Sequence, residues 1–403
     1  MSLNGSKSLL ESIDAIWERT ELAKKADDYY YFQAITALDN SSAWVSTSEG
    51  KKLMFATYNY LGLLGDPRIN EAAIKAVEKY GTGTHGVRIF GGNLDLHEEL
   101  EDKIANFTNR ESAIVYSTGY MTNLTTINSL VSAEDWIISD RLNHASIVDG
   151  CLISRAQFKR FKHNDMEDLE RLLKLAPENV TKLVIADAVF SMDGDIFNLP
   201  VASKLCKKYG AILMIDEAHS IGVLGKNGHG IEEYFNLDNV IDVKMGTLSK
   251  VIPAIGGYIS GDKKLINYLK HIARGFVFSA ALPPAVAAAA LKALEIIEKE
   301  SSFLRQKLYQ NFNRFLKGLK ASGLNTGNSE TSIVPVIIGE DDLTIKMTSL
   351  CQKKGVFALP VLTPGVPRGT SRVRLNVTAK HTDYDIDYAI KAIVGSAKEL
   401  KVI

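Results

Sequence analysis

From about residue 65 onward, short runs of β-branched and aliphatic residues alternate with longer amphipathic stretches, and that alternation restricts the chain to an α/β layer architecture with a mostly parallel sheet. The expected strands are Ser112 to Ser117, Trp136 to Asp140, Lys182 to Phe190, Ala211 to Asp216, Val240 to Met245 and Gly256 to Ser260. They are short and mostly apolar, as strands covered by helices on both faces are. Between them, Asn164 to Leu175 opens on an Asn-Asp cap and repeats Leu169, Leu172 and Leu173 at helical spacing, and Val201 to Tyr209 does the same more briefly.

After Pro283-Pro284 the pattern changes. A helical tract runs to about Leu319, followed by expected strands Ser332 to Ile338, Val356 to Pro360 and Arg372 to Val377. A last helix from Thr382 places Ile386, Ile390, Ile393, Ala397 and Leu400 on one face. A chain of 403 residues exceeds one small core. The expected division is an N-terminal segment over 1–58, a large domain over 59–285 and a smaller α/β domain over 286–403. The aromatic run Tyr29-Tyr30-Tyr31-Phe32 is assigned to packing.

Charge and cysteine usage exclude several classes. Lys plus Arg (47) equal Asp plus Glu (47), so no net field holds a polyanion, and no nucleic-acid partner is expected. Cys151, Cys206 and Cys351 lie far apart, which is neither a disulfide framework nor a metal-ligand spacing. No metal site is expected, and the usage suits a reducing cytoplasm. The longest apolar run, Ala280 to Leu291, holds two prolines and is shorter than the roughly 20 residues a bilayer requires, so no transmembrane span is expected. The opening Met-Ser-Leu-Asn-Gly-Ser lacks the features of a signal peptide.

Two motifs mislead. Gly81-Thr-Gly83-Thr-His-Gly86 matches GxGxxG, which would point to an NAD-dependent oxidoreductase, but that fingerprint needs a strand before it. Arg68 to Tyr80 reads as a helix, so the glycines are assigned to a loop. Asp216-Glu-Ala-His219 resembles the metal-holding strand end of nucleic-acid ATPases, yet the chain has no GxxxxGK followed by Ser or Thr. An Asp ending a parallel strand faces a ligand crevice.

Seven segments in order carry a specific resemblance: Thr57-Tyr-Asn-Tyr-Leu-Gly62, Ser117-Thr-Gly-Tyr-Met121, Asn143-His-Ala-Ser146, Phe190-Ser-Met-Asp-Gly194, Asp216-Glu-Ala-His219, Gly246-Thr-Leu-Ser-Lys250 and Arg372-Val-Arg374. On these, nearly the whole chain resembles an α-oxoamine synthase of the fold-type I pyridoxal-phosphate (PLP) enzymes. The resemblance implies a large domain with a mostly parallel, helix-covered sheet and a smaller C-terminal domain. It implies PLP as cofactor, carried on Lys250, with Asp216 paired to the pyridine nitrogen. His219 is expected near the ring's 3-hydroxyl, Ser191 on the same side, and His144 stacked on the ring. Thr118, Gly119 and Tyr120 at a helix N-terminus are expected to hold the phosphate, aided by the Thr247 and Ser249 hydroxyls. Ser279 is expected to reach the phosphate of a neighbouring subunit, which implies a homodimer with shared active sites. Arg374 is the expected clamp on the substrate carboxylate, with Asn59 as a second candidate and Arg372 turned to the opposite face of the strand.

The implied reaction is decarboxylative condensation of a small amino acid with an acyl-CoA or acyl-carrier-protein thioester. The Thr57 and Ser117 segments and His163-Asn-Asp resemble bacterial serine palmitoyltransferases. Val87-Arg88, Asn143-His-Ala-Ser and Val366-Pro-Arg-Gly resemble 2-amino-3-ketobutyrate CoA ligases. Serine is the expected amino acid, with glycine or alanine as alternatives.

Overall fold

In the computed structural model, which describes residues 7–403, seven strands form the central sheet. Their spatial order is Ser112–Tyr116, Pro253–Gly261, Val243–Ser249, Ile212–Asp216, Lys182–Asp187, Trp136–Asp140 and Gln157–Phe161. Four neighbouring pairs are parallel, while Pro253–Gly261 runs antiparallel to both its neighbours. The residues read for a signal peptide, Met1 to Ser6, lie outside the described residues.

Side-chain alternation along these strands divides the core into two layers. Val184 and Ala186 face the cluster that includes Leu100, Leu169, Ala287 and Ile297. Leu183 and Ile185 face the other way, into the cluster with Ile127, Ile147 and Leu269. Each of these residues is fully or almost fully buried, and each buried Val, Leu or Ile side chain contributes about 1.5–3 kcal/mol. Helices on both faces explain why the strands read as nearly unbroken apolar runs.

Strand ends depart from expectation where pairing outruns composition. The strand expected over 240–245 runs from Val243 to Ser249, because its backbone keeps bonding to Pro253–Gly261 through Gly246 and Thr247. The strand expected to reach Phe190 stops at Asp187. The stretch expected over 356–360 is two short strands in different sheets, Val356–Phe357 and Leu359–Val361. Gln157–Phe161 was not expected at all, since it is a polar edge strand with largely open side chains. Gly81 ends the helix Pro67–Tyr80 at φ +82°, so the GxGxxG match follows a helix and no strand precedes it.

Toward the C-terminus, Ile333–Gly339, Ser371–Asn376 and Leu359–Val361 make an antiparallel three-stranded sheet. The last helix, Asp383–Glu399, starts at a capping box between Thr382 and Asp385 and buries Ile386, Ala389, Ile393 and Ala397. Near the N-terminus, Ile35–Leu38, Trp44–Thr47 and Gly50–Met54 form a sheet completed by Val356–Phe357. Leu53 and Phe55 share a core with Val334, Val373 and Ile386, so this segment packs on the C-terminal half. The 38-residue helix Pro284–Ala321 runs between both cores, placing Ala287 and Leu294 in one and Phe312 and Phe315 in the other. Of the aromatic run assigned to packing, Tyr30 is buried but Phe32 is 96 % exposed, because it turns outward at a positive φ of 58°.

Candidate active site

Three parallel strands end in carboxylates, Asp140, Asp187 and Asp216, at the sheet edge where α/β proteins bind ligands. Beyond them lies a cavity of about 350 Å³. Its lining includes ten of the expected residues: Thr118, Gly119, Tyr120, His144, Ser191, Asp216, His219, Thr247, Ser249 and Lys250. They come from five separate segments, and the sheet brings them together.

Lys250 follows directly on the strand Val243–Ser249. Its Nζ lies 2.9 Å from His219 Nε2. Burial pushes its pKa down to about 8, against the opposing pull of Asp216 and Asp187. The other imidazole nitrogen, His219 Nδ1, lies 2.7 Å from the buried Tyr60 hydroxyl. Burial, then the nearby Lys250 and Arg374 cations, hold the His219 pKa well below its ordinary value, so this ring is neutral. Burial raises the Tyr60 pKa, so the phenol keeps its proton.

Asp216 ends its strand with both oxygens engaged. Oδ1 accepts from the Ala218 backbone at 2.9 Å and Oδ2 from Asn123 Nδ2 at 2.8 Å. His144 caps the helix Ala145–Ile153, and its Nδ1 accepts the Ser146 backbone N–H at 3.2 Å, so the neutral ring carries its proton on Nε2. Burial lowers its pKa, Asp216 opposes that, and Lys250 adds to it. Asp187 accepts the His144 backbone N–H through Oδ2 at 2.9 Å. Burial, then the adjacent Asp216, raise the Asp187 pKa well above its ordinary value.

On the opposite wall, Thr118 caps the helix Gly119–Leu130 by accepting from Met121 N at 3.1 Å. The free N–H groups of this first turn make an anion site. Thr247 Oγ1 and Ser249 Oγ are 2.8 Å apart beside it. A Cβ on Gly119 would come within 2.9 Å of Thr247 Oγ1, so glycine is what leaves this corner open.

Arg374 is buried and is not part of the cavity lining, but it touches two residues that are: its Nε donates to the Ser191 carbonyl and its guanidinium lies 5.2 Å from the Tyr58 ring centre. Arg372 donates to the Met192 carbonyl at 3.1 Å and to Asp193 at 2.6 Å. Both arginines therefore meet the same turn, which corrects the expectation that Arg372 faces away: residues two apart on a strand share a face. Asn59 does not line the cavity; its Oδ1 accepts from Leu64 N at 3.0 Å, closing a local turn. Ser279 also lies off this cavity, in a half-buried stretch next to the bridge between Val87 and Ala280. Sequence reasoning missed Asn123, Ser146, Asp187 and Tyr60. Of these, only Tyr60 and Ser146 fell inside a recognised motif.

Comparison with known proteins adds four observations. The family described as aminotransferase class I and II matches residues 50–393. An 8-amino-7-oxononanoate synthase of Thermoanaerobacter pseudethanolicus is 45% identical over 98% of this chain and 100% of its own length. A serine palmitoyltransferase of Bacteriovorax stolpii is 41% identical over 98% of this chain and 93% of its own. Among solved structures, the serine palmitoyltransferase of S. paucimobilis with bound PLP and myriocin superposes with a TM-score of 0.94 at 31% identity, covering 98% of this chain and 100% of that one.

Proposed function

Because the chain belongs to the aminotransferase class I and II family and, within it, to the α-oxoamine synthases, we propose that the cavity catalyses PLP-dependent condensation of a small amino acid with an acyl thioester. The Cα–H bond breaks, Cα joins the acyl carbon, the thiol leaves, the carboxyl group departs as carbon dioxide, and Cα takes up a proton to give an α-amino ketone.

The residues present fit PLP. The cavity pairs an anion-binding helix end and two hydroxyls on one wall with a carboxylate at its floor and a lysine of lowered pKa on its rim. The phosphate, a dianion, suits the first turn of Gly119–Leu130. Asp216 suits a protonated pyridine nitrogen, and His144 presents a flat neutral ring. When bound, PLP supplies an aldehyde for amines and an electron-poor ring that takes up the electron pair released at Cα.

Each residue then has a task. With a pKa of about 8, Lys250 has a substantial neutral amine fraction near neutral pH, which suits it to carry the cofactor between turnovers and to move the proton at the substrate Cα. His219, neutral and anchored by Tyr60, holds a hydrogen-bonding nitrogen toward the reacting side. Arg374 Nη2 is buried with no hydrogen-bond partner among the described residues. A buried donor left open in this way favours a substrate carboxylate as its acceptor.

Serine is the amino acid this reading favours, supported by full-length similarity to serine palmitoyltransferases in sequence and in structure. Alanine is the second reading, supported by relatives whose named product carries its amino group on carbon 8, one carbon from the chain end and beside a ketone at carbon 7. The acyl group arrives on CoA or on a carrier protein.

A homodimer completes the proposal, with Ser279 serving the partner's site. What supports it is that exposed Phe90 and Phe278, 86 % and 71 % open, lie on the two segments joined by the Val87–Ala280 bridge. Three free, buried cysteines support a cytoplasmic setting, and among the described residues no helix is long and apolar enough to cross a membrane.

The observation that carries the proposal is the convergence of Lys250, His219 and Asp216 on one cavity. The test is a screen of serine, alanine and glycine with acyl-CoA, scored by thiol release and product mass. Release with serine and a matching amino ketone is expected; no release with any of the three contradicts the reading.

A further inference from the structure

His163 is not part of the lining of the candidate site, yet it joins two separate parts of it. Its Nδ1 is 3.0 Å from Asp140 Oδ1 and its Nε2 is 2.8 Å from Asp195 Oδ2. Both partners are carboxylates, which only accept, so both ring nitrogens donate and the ring is an imidazolium. Its ring packs edge-to-face with Phe190, the planes at 87° and the centroids 4.3 Å apart, which fixes the ring plane.

The two carboxylates belong to different walls. Asp140 ends the strand before His144 and also receives the Leu142 and Asn164 backbone N–H groups at 2.8 and 2.7 Å, so it fixes the turn that presents His144. Asp195 closes the turn after Phe190, whose backbone N donates to the Asp195 carbonyl at 3.1 Å. That turn carries Ser191, Met192 and Asp193, the three residues that hold Arg374 and Arg372. A continuous path therefore runs from the His144 turn through Asp140, His163 and Asp195 to the two arginines.

We propose that His163 is a positioning residue for the condensation reaction, an imidazolium clamp that sets the distance between His144 and Arg374 and so the seat of the amino acid. This rests on the proposed function. The clamp acts on the bound amino acid through its carboxylate, so its loss weakens amino acid binding and leaves the acyl thioester and the phosphate seat alone. Asn164, the next residue, ties Ile196 and Asn198 independently at 2.9 Å each, which keeps the turn's backbone in place when the imidazole is removed.

The test is titration of the PLP-loaded enzyme with serine and with alanine, followed by the absorbance of the bound cofactor, for the wild type, His163→Gln and Asp195→Asn. Both variants are expected to raise the amino acid Kd and KM about 10-fold, with kcat lowered less than about 3-fold and the acyl-thioester KM unchanged. Asp195→Asn keeps an acceptor of the same shape, so it reports on the clamp if His163→Gln folds poorly. Native amino acid Kd in either folded variant overturns the clamp, as does a loss confined to melting temperature and cofactor retention. If the wild type itself responds to neither amino acid, it is the proposed function that fails, and the clamp with it.

Discussion

Asn123 Nδ2 donates to Asp216 Oδ2 at 2.8 Å and to Ser146 Oγ at 3.0 Å, so a single amide ties the carboxylate at the cavity floor to the hydroxyl 2.8 Å from His144 Nδ1. Replacing Asn123 with Leu leaves Asp216 without one of its two donors and Ser146 without its anchor. A buried group stripped of its partner costs about 1–3 kcal/mol. The expected outcome is PLP affinity lowered about 10-fold, read by equilibrium dialysis, with a smaller loss in the milder Asn123→Ser variant.

The lowered pKa of Lys250 makes cofactor capture pH-dependent. The neutral amine attacks an aldehyde, and burial places its titration near 8 instead of the usual 10.5. The rate of PLP uptake by the apoprotein is expected to rise with pH and level off above about 8.5, followed by stopped-flow absorbance. Because the folded pKa is depressed, the unfolded chain binds more protons between about 8 and 10.5, so this group's contribution to stability increases as pH rises through that window.

Arg374→Lys keeps a charge but loses the paired donors. Amino acid KM is expected to rise at least about 10-fold and more in Arg374→Ala, with acyl-thioester KM changed less than about 3-fold. Steady-state kinetics with each substrate varied in turn provide the check.

For His163 the sign is reversed. Burial opposes its charge, but the bonds to Asp140 and Asp195 outweigh that and raise its pKa to about 10. A raised folded pKa gives stability that is fully present below the unfolded value of about 6.5 and is lost as pH rises through about 10. The stability gap between wild type and His163→Gln is expected to be about 3 kcal/mol at pH 6, the scale of breaking a buried ion pair, and to close by about pH 10. Urea unfolding across that range measures it.

The parts legible in the sequence share a physical cause. Strands such as Trp136–Asp140, covered on both faces, leave a local apolar run, and Lys250 and Asp216 sit in contiguous motifs at strand ends. What was not legible depends on contacts between distant residues or on backbone pairing. Asn123 meets Asp216 across 93 positions, and its helix gives no hint of that partner. Gln157–Phe161 is a strand because Trp136–Asp140 offers it an edge, not because its residues are apolar. The misplaced Arg372 came from the opposite failure, an alternation rule that was available locally and applied with the wrong parity.

The central claim is that one lysine, at position 250, carries the cofactor. Borohydride reduction of the PLP-loaded protein, proteolysis and peptide mass analysis test it directly. A phosphopyridoxyl mass increment on the peptide containing Lys250, absent from Lys250→Ala, is the expected result; an increment on a different lysine, or none on a protein that still condenses serine with acyl-CoA, would contradict it.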